Sequence, residues 1–319
     1  MIGTEILRDH GIGLGKYKIN SLIRNVNLSN PIWTLKASWA TTYSRGSEFF
    51  VMDKWGGQVY FTNDSPRRVL EKRRLLTGGL SWSITMPSTI NDVVVDSQDN
   101  VWVLTVSEVR KYDSSGSSYT DYSSNGGGYH IYVDSSDNVY VASFGKVFSL
   151  TNAGAPRWMQ SLPNTSGSIG SAIGAEGIYL FMEAPARSAR KLNFKGEVVL
   201  DATLSFSYDG KGVVSSGEII YFPSAKISKN LEVLARVPQS LGSYLSNIVI
   251  DANDNLYIAS NLENRHVLMS LNNDLTKRAS LPMTDTAVSG ALGITKEGYL
   301  IVSDLDTVKV YDLGFSILG

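Results

Sequence analysis

Three stretches of the chain nearly repeat one another: VVVDSQDNVWVL from Val93, IYVDSSDNVYVA from Ile131 and IVIDANDNLYIA from Ile248. Each has an apolar run, a polar turn rich in Asp and Asn, and a second apolar run, the pattern of two short strands joined by a hairpin. The turns end on Asn100, Asn138 and Asn255. Asn tolerates the left-handed backbone of a tight turn, and Gly tolerates it better. That substitution identifies divergent copies at Gly57 before QVYFT, Gly177 before IYLFM, Gly217 before EIIYF and Gly298 before YLIVS. Seven anchors result, about 40 residues apart. Two positions beyond them stand Val59, Trp102, Tyr140, Tyr179, Ile219, Tyr257 and Leu300, all suited to a buried strand site. A third strand recurs as EVRKYD, KVFSL, SARKLNF, SAKIS, HVLMSL and TVKVYDL, and a weaker fourth as PRWMQSLP and TKRASLP. Four short strands per repeat with no helical periodicity predict an all-β fold, a single β-propeller of four-stranded blades.

The two ends suggest how the ring closes. Few residues follow Gly298, whereas the segment before Gly57 is longer than one inner strand requires, and PIWTLKASW at 31–39 resembles the fourth strands. Residues 31–39 are therefore expected to supply the outer strand of the last blade, which removes an unpaired edge. This gives seven blades, with six as the alternative if the unit around Gly57 is only an edge. The domain division is an N-terminal arm, 1–30, and a propeller, 31–319.

The recurring order of apolar residues, Asp, short turn, Asn, apolar, Tyr or Trp, apolar resembles NHL-type propeller repeats. Asn264-Arg265 in ENRHVLMSL and the ending VKVYD add to the likeness. It covers roughly residues 48–313. The resemblance implies the propeller architecture; the family includes scaffolds, protein and RNA binders, and a minority of lyases and hydrolases, so it does not select a function.

Composition narrows the choice. The 319 residues carry a net charge of −1 and are 43% hydrophobic but only 18% charged. The apolar share supports a buried core, and the near-zero charge argues against a nucleic-acid binder held by bulk electrostatics. There is no Cys, which excludes disulfides, thiolate metal sites and cysteine nucleophiles. Arg8, Asp9 and His10 interrupt the first apolar stretch, and no run approaches the ~18 apolar residues of a membrane span. A soluble protein without a secretory leader is expected.

Candidate chemistry is sparse. The paired turn acids Asp96/Asp99, Asp134/Asp137 and Asp251/Asp254 would suit calcium, but the loops are far shorter than a 12-residue calcium loop and lack its terminal Glu. Asx turns account for them better. The starts of the inner strands offer Asn91, Asp92, His130, Asp209 and Asn247 as channel-lining candidates. A propeller lyase or hydrolase would hold a divalent metal with such groups. The matching starts SIGSAIG and VSGALGI have no ligands, and a water-filled polar channel explains the same residues. The three His residues, His10, His130 and His266, have no metal-ligand spacing, and no GxSxG elbow is present. GIGLGKY at 11–17 fails as a phosphate loop, with His10 where Gly is needed and Tyr17 where Ser or Thr is needed. No catalytic residue, metal or cofactor is assigned.

Two segments suggest partners. Arg67, Arg68, Lys72, Arg73 and Arg74 face the single Glu71 within 66–76, suited to phosphate or an acidic protein surface but without the aromatic interleaving of a single-strand binder. In the arm, Ile6, Leu7, Ile12, Leu14 and Tyr17 would bury themselves on a neighbouring subunit or under their own propeller. Low charge, a surface rich in Ser, Gly, Asn and Tyr, degenerate repeats and this arm point to a non-catalytic structural or binding propeller of a larger assembly. A phage virion, at the tail or capsid, is the expected setting. A metal-dependent propeller enzyme and a cytoplasmic protein- or RNA-binding scaffold are the alternatives.

Overall fold

The computed structural model describes residues 33–36, 50–53, 55–62, 67–122, 126–162, 169–182, 187–204, 210–251, 253–262, 265–283, 292–295, 298–304 and 307–312. They form seven four-stranded antiparallel sheets, the blades of a β-propeller, and among the described residues the one helical turn is a 3-10 turn at Gln239–Leu241. The inner strands of blades 1 to 7 are Val51–Met52, Ile90–Val95, His130–Val133, Ile169–Gly174, Val213–Val214, Ser243–Ile250 and Leu292–Ile294. Neighbouring blades meet through their inner strands, except that blades 3 and 4 meet through the second strand of blade 3 and the inner strand of blade 4, and the last blade returns to the first, so the ring is closed. Blade 7 takes its outer strand from far upstream: Trp33–Lys36 runs antiparallel to Thr307–Asp312, with Trp33 opposite Val310 and Lys36 opposite Thr307. Among the described residues no helix is long and apolar enough to cross a membrane.

The core lies between blades rather than within them. Seven apolar clusters each join two neighbouring blades, such as Tyr60 and Leu70 of blade 1 with Val93, Val101 and Tyr112 of blade 2. A second strand is consequently covered on both faces, and Val101–Thr105 and Val139–Ser143 are buried at every position. This explains their continuous apolar runs. Outer strands alternate half-buried and exposed positions, as Leu80–Thr85 does, and their sequence signal is weaker.

Register corrects the anchors. Val101 lies opposite Val95, and the same pairing aligns Val59 with Met52 and Leu300 with Ile294. The equivalents of Asn100 are therefore Gln58, Ile219 and Tyr299, one or two residues beyond Gly57, Gly217 and Gly298. The buried site two residues past Asn100 is filled by Tyr60, Trp102, Tyr140, Tyr179, Tyr221, Tyr257 and Ile301, all at most 2% exposed. Val59, Ile219 and Leu300 were expected there, but each lies one or two positions short. Nor does Asn adopt the left-handed backbone: Asp99, Asp137, Glu218 and Asp254 do, at φ 57 to 64°.

The turns between third and outer strands use two packing solutions. Gly116 and Gly196 adopt φ 70° and 85°, and a Cβ on either would lie 2.8 Å from the Trp82 ring or 2.5 Å from the Trp158 ring of the preceding blade. In blades 5 and 6, Leu231 and Leu275 adopt the same left-handed backbone and bury their own side chains in the gap. The facing outer-strand residues there are Leu200 and Ala235, smaller than indole.

Candidate functional site at the channel mouth

The turns joining inner to second strands gather at one end of the channel, and their two acids do different work. The first closes its own turn. Asp134 accepts backbone N–H bonds from Ser136 and Asn138, side-chain bonds from Asn138 Nδ2, and the Tyr140 hydroxyl at 2.7 Å. Asp251 is held likewise by Asn253, Asn255 and Tyr257. Asp96 takes Gln98, Asn100, Trp102 Nε1 at 3.4 Å and the Lys111 ammonium at 3.0 Å. Burial opposes the charge on Asp96 and Asp134, but these bonds more than offset it and hold both below the ordinary carboxylate value. The Asx-turn expectation covers these first acids. The second acid ties adjacent blades together: Asp137 accepts Ser97 N at 2.8 Å and Oγ at 2.5 Å, Asp254 accepts Ser216, and Glu218 accepts Ala175 N and Tyr179 Oη.

Five of the six buried aromatics at this site carry a cation. Lys72, Lys111, Lys191 and Lys226 lie 5.1 to 5.6 Å above the rings of Tyr60, Trp102, Tyr179 and Tyr221, each from the facing position of the third strand. In blade 3 that position is Ser149, and Arg157 reaches in from the outer strand to donate to both Ser149 Oγ and Tyr140 Oη. Several of these cations also bond a turn carbonyl of the next blade, as Lys72 does with Ser114 and Lys111 with Asn152.

At the axis, Asp92 is nearly fully buried, with Oδ2 accepting Ile131 N at 2.9 Å and Lys211 Nζ at 2.7 Å. Lys211 precedes the inner strand of blade 5 and forms a parallel bridge with Ser171 of blade 4. Its ammonium also donates to Ile131 O and lies 4.8 Å above the Tyr132 ring. It thus ties blade 5 to blades 2 and 3. Register makes Lys211 the equivalent of Asp92, His130 and Asn247. The sequence reading chose Asp209 for blade 5 and missed Lys211, because it aligned that blade on Gly217; aligning Tyr221 with Trp102 would have found it.

Of the channel candidates, Asn91 occupies a bulge and donates to Gly128 O at 2.7 Å. Asn247 exchanges two 2.8 Å bonds with the backbone of Leu292. His130 is half-buried and pairs with Ala142. Asp92 and Lys211 meet, whereas Asn91 and Asn247 stitch different junctions. Asp209 lies outside the described residues, as do Ile6, Leu7, Ile12, Leu14 and Tyr17. The basic stretch is divided. Arg67 and Arg68 precede the third strand of blade 1 and Arg73 and Arg74 end it, separated by roughly 20 Å at a strand's rise. Lys72 between them is buried beneath its own network, and Arg73 pairs with Glu71 at 2.6 Å.

Above Lys211 opens a cavity of about 640 Å³. Phe50, Val51, Val94, Val133 and Ile294 supply apolar wall, and Asp53, Asp96, Asp134 and Asp137 supply carboxylates. Among the described residues no group of three or more His, Asp or Glu is placed to hold a metal ion.

No family model and no curated protein matches the chain. In three dimensions 1077 solved chains match, a breadth that fixes architecture without choosing a function. One is the crystal structure of BamB from Moraxella catarrhalis, at TM-score 0.58 and 15% identity over 86% of this chain and 88% of that one. At that identity the likeness establishes the propeller fold alone.

Proposed function

We propose that this chain is a non-catalytic binding propeller, a structural part of a larger protein assembly, and that the assembly is a phage virion with the protein at its tail or capsid. The observation that carries the binding role is the commitment of the channel's polar groups. Asn91, Asp92, Lys211 and Asn247, where a propeller enzyme would place its chemistry, are engaged in bonds between blades. Membership of the NHL-type propellers belongs to the same proposal, carried by the turns at 96–100, 134–138 and 251–255. The virion setting rests on the low charge, the neutral polar surface and the arm.

Light scattering on the full chain and on a version starting at Asn30 tests the assembly role. Assembly of the full chain with a folded, monomeric truncation is expected. Two monomers of equal stability, with no partner recovered from the source, would overturn it. Mass spectrometry of purified particles tests the setting, which falls if the chain is found only in the cell lysate.

A further inference from the structure

Blade 1 leaves open what its sister blades close. Asp53 stands where Asp96 and Asp134 stand, yet it accepts only N–H groups of its own turn, from Gln58 at 3.0 Å and from Gly57. Tyr60 stands where Tyr140 and Tyr257 stand, and their hydroxyls bond the first acid of their own turn. The Tyr60 hydroxyl, fully buried, has no hydrogen-bond partner. Lys72, in the position of Lys111, turns instead to Asp99 of blade 2 at 3.2 Å. The turn itself is one residue longer and exposes Trp55. Burial pushes Asp53 upward and the Asp99 carboxylate adds to it, against the N–H bonds of Gln58 and Gly57 and the more weakly acting Lys72 charge; the Tyr60 hydroxyl is pushed up by burial, with Asp99 and Asp53 contributing.

We propose that this corner of the channel mouth receives a Lys or Arg side chain of a partner protein, with the Asp53 carboxylate, which lines the cavity, as its counter-charge. The inference rests on the binding-scaffold reading and names the chemistry of the partner. A bare divalent ion would need about six oxygen ligands, more than Asp53 and the already engaged neighbours can offer. A basic side chain needs one carboxylate and an apolar wall for its stem, and Val51, Met52 and Val94 line the same cavity as Asp53. Lys211, the cation at the cavity floor, is already neutralised by Asp92.

The test is titration of the full chain with blocked Gly-Arg-Gly, Gly-Lys-Gly and Gly-Glu-Gly tripeptides, read from the amide resonances of Trp55 and Gly56. Millimolar binding of the basic peptides, weakening with salt, and no binding of the acidic one are expected. Asp53→Asn should weaken binding at least tenfold, while Tyr60→Phe, whose hydroxyl is sealed from the cavity, and Asp201→Asn on the outer rim leave it unchanged. Circular dichroism on each variant separates lost binding from lost fold. Equal binding by wild type and Asp53→Asn, or no binding of either basic peptide, overturns the proposal. If the full chain assembles yet neither basic peptide binds, this site falls and the scaffold reading stands; peptide binding by a chain that joins no assembly gives the reverse.

Discussion

The turns of blades 1 and 3 share a register and differ in what they leave unsatisfied. In blade 3, Asp134, Asn138, Tyr140 and Arg157 form a closed network in which the carboxylate, the hydroxyl and the guanidinium all find partners. In blade 1, Asp53 and Tyr60 occupy the same two places, but the lysine that could complete them bonds the neighbouring blade. A closed network contributes stability and has nothing left for a ligand. An open one forgoes part of that stability, since a buried hydroxyl without a partner costs about 1–3 kcal/mol. In a repeat protein, a copy that forgoes it where its sisters do not is where binding is to be sought.

The largest way to sharpen the contrast is Asp96→Asn. It removes the anion that holds Lys111 and Asn100, and a loss of about 3 kcal/mol in urea unfolding is expected. Lys211→Met should cost about 2 kcal/mol, less than a fully buried pair because the lysine is about a third exposed. It also removes a cation from the cavity wall, so it should tighten binding of the basic tripeptides. Tyr140→Phe deletes a satisfied hydroxyl and should cost about 1 kcal/mol. Tyr60→Phe deletes an unsatisfied one and should raise stability by about 1 kcal/mol. Equal losses for the two tyrosines would break the contrast.

Acid titration provides the last comparison. Asp96 and Asp134 are held below 3.8, so their contribution is present above pH 4 and is lost as pH falls through their folded values. Asp53 is raised above 3.8, chiefly by burial, so its ionisation reduces stability as pH rises through that interval. Asp53→Asn should therefore be slightly more stable than wild type at pH 7, by about 0.5 kcal/mol, with the difference vanishing below pH 4. Melting curves at pH 3, 5 and 7 would decide it.

The blades were legible because each second strand, covered on both faces, must be apolar throughout, and VWVLT and VYVAS display that directly. Counting from glycine was less secure. The left-handed position is filled by Asp, Glu or Gly in different blades, so its identity does not mark the register; the buried aromatic at Tyr60, Tyr221 and their equivalents marks it better. The junctions hid themselves for a related reason. Trp158 over Gly196 and Leu275 beside Ala235 fill one kind of gap from opposite sides, and neither residue suggests the other without the neighbouring blade in view. Lys211 was obscured by the misaligned blade 5. The open corner at Asp53 was masked in the sequence because Asp and Tyr are present there as in the closed turns; the longer turn, Gln58 in place of the Asn of those turns and the direction taken by Lys72 make the difference.

Blade 7 also sets a timetable. Trp33–Lys36 leaves the ribosome early, but its hydrogen-bonding partner, Thr307–Asp312, is made some 270 residues later. At about 5–20 residues per second the strand waits roughly 15–50 s. Throughout that interval the nascent chain holds a strand with no mate at one end and an unfinished ring at the other. A translational pause within blade 6 or 7 would lengthen that exposure, and two stalled chains could each lend the other the strand it awaits.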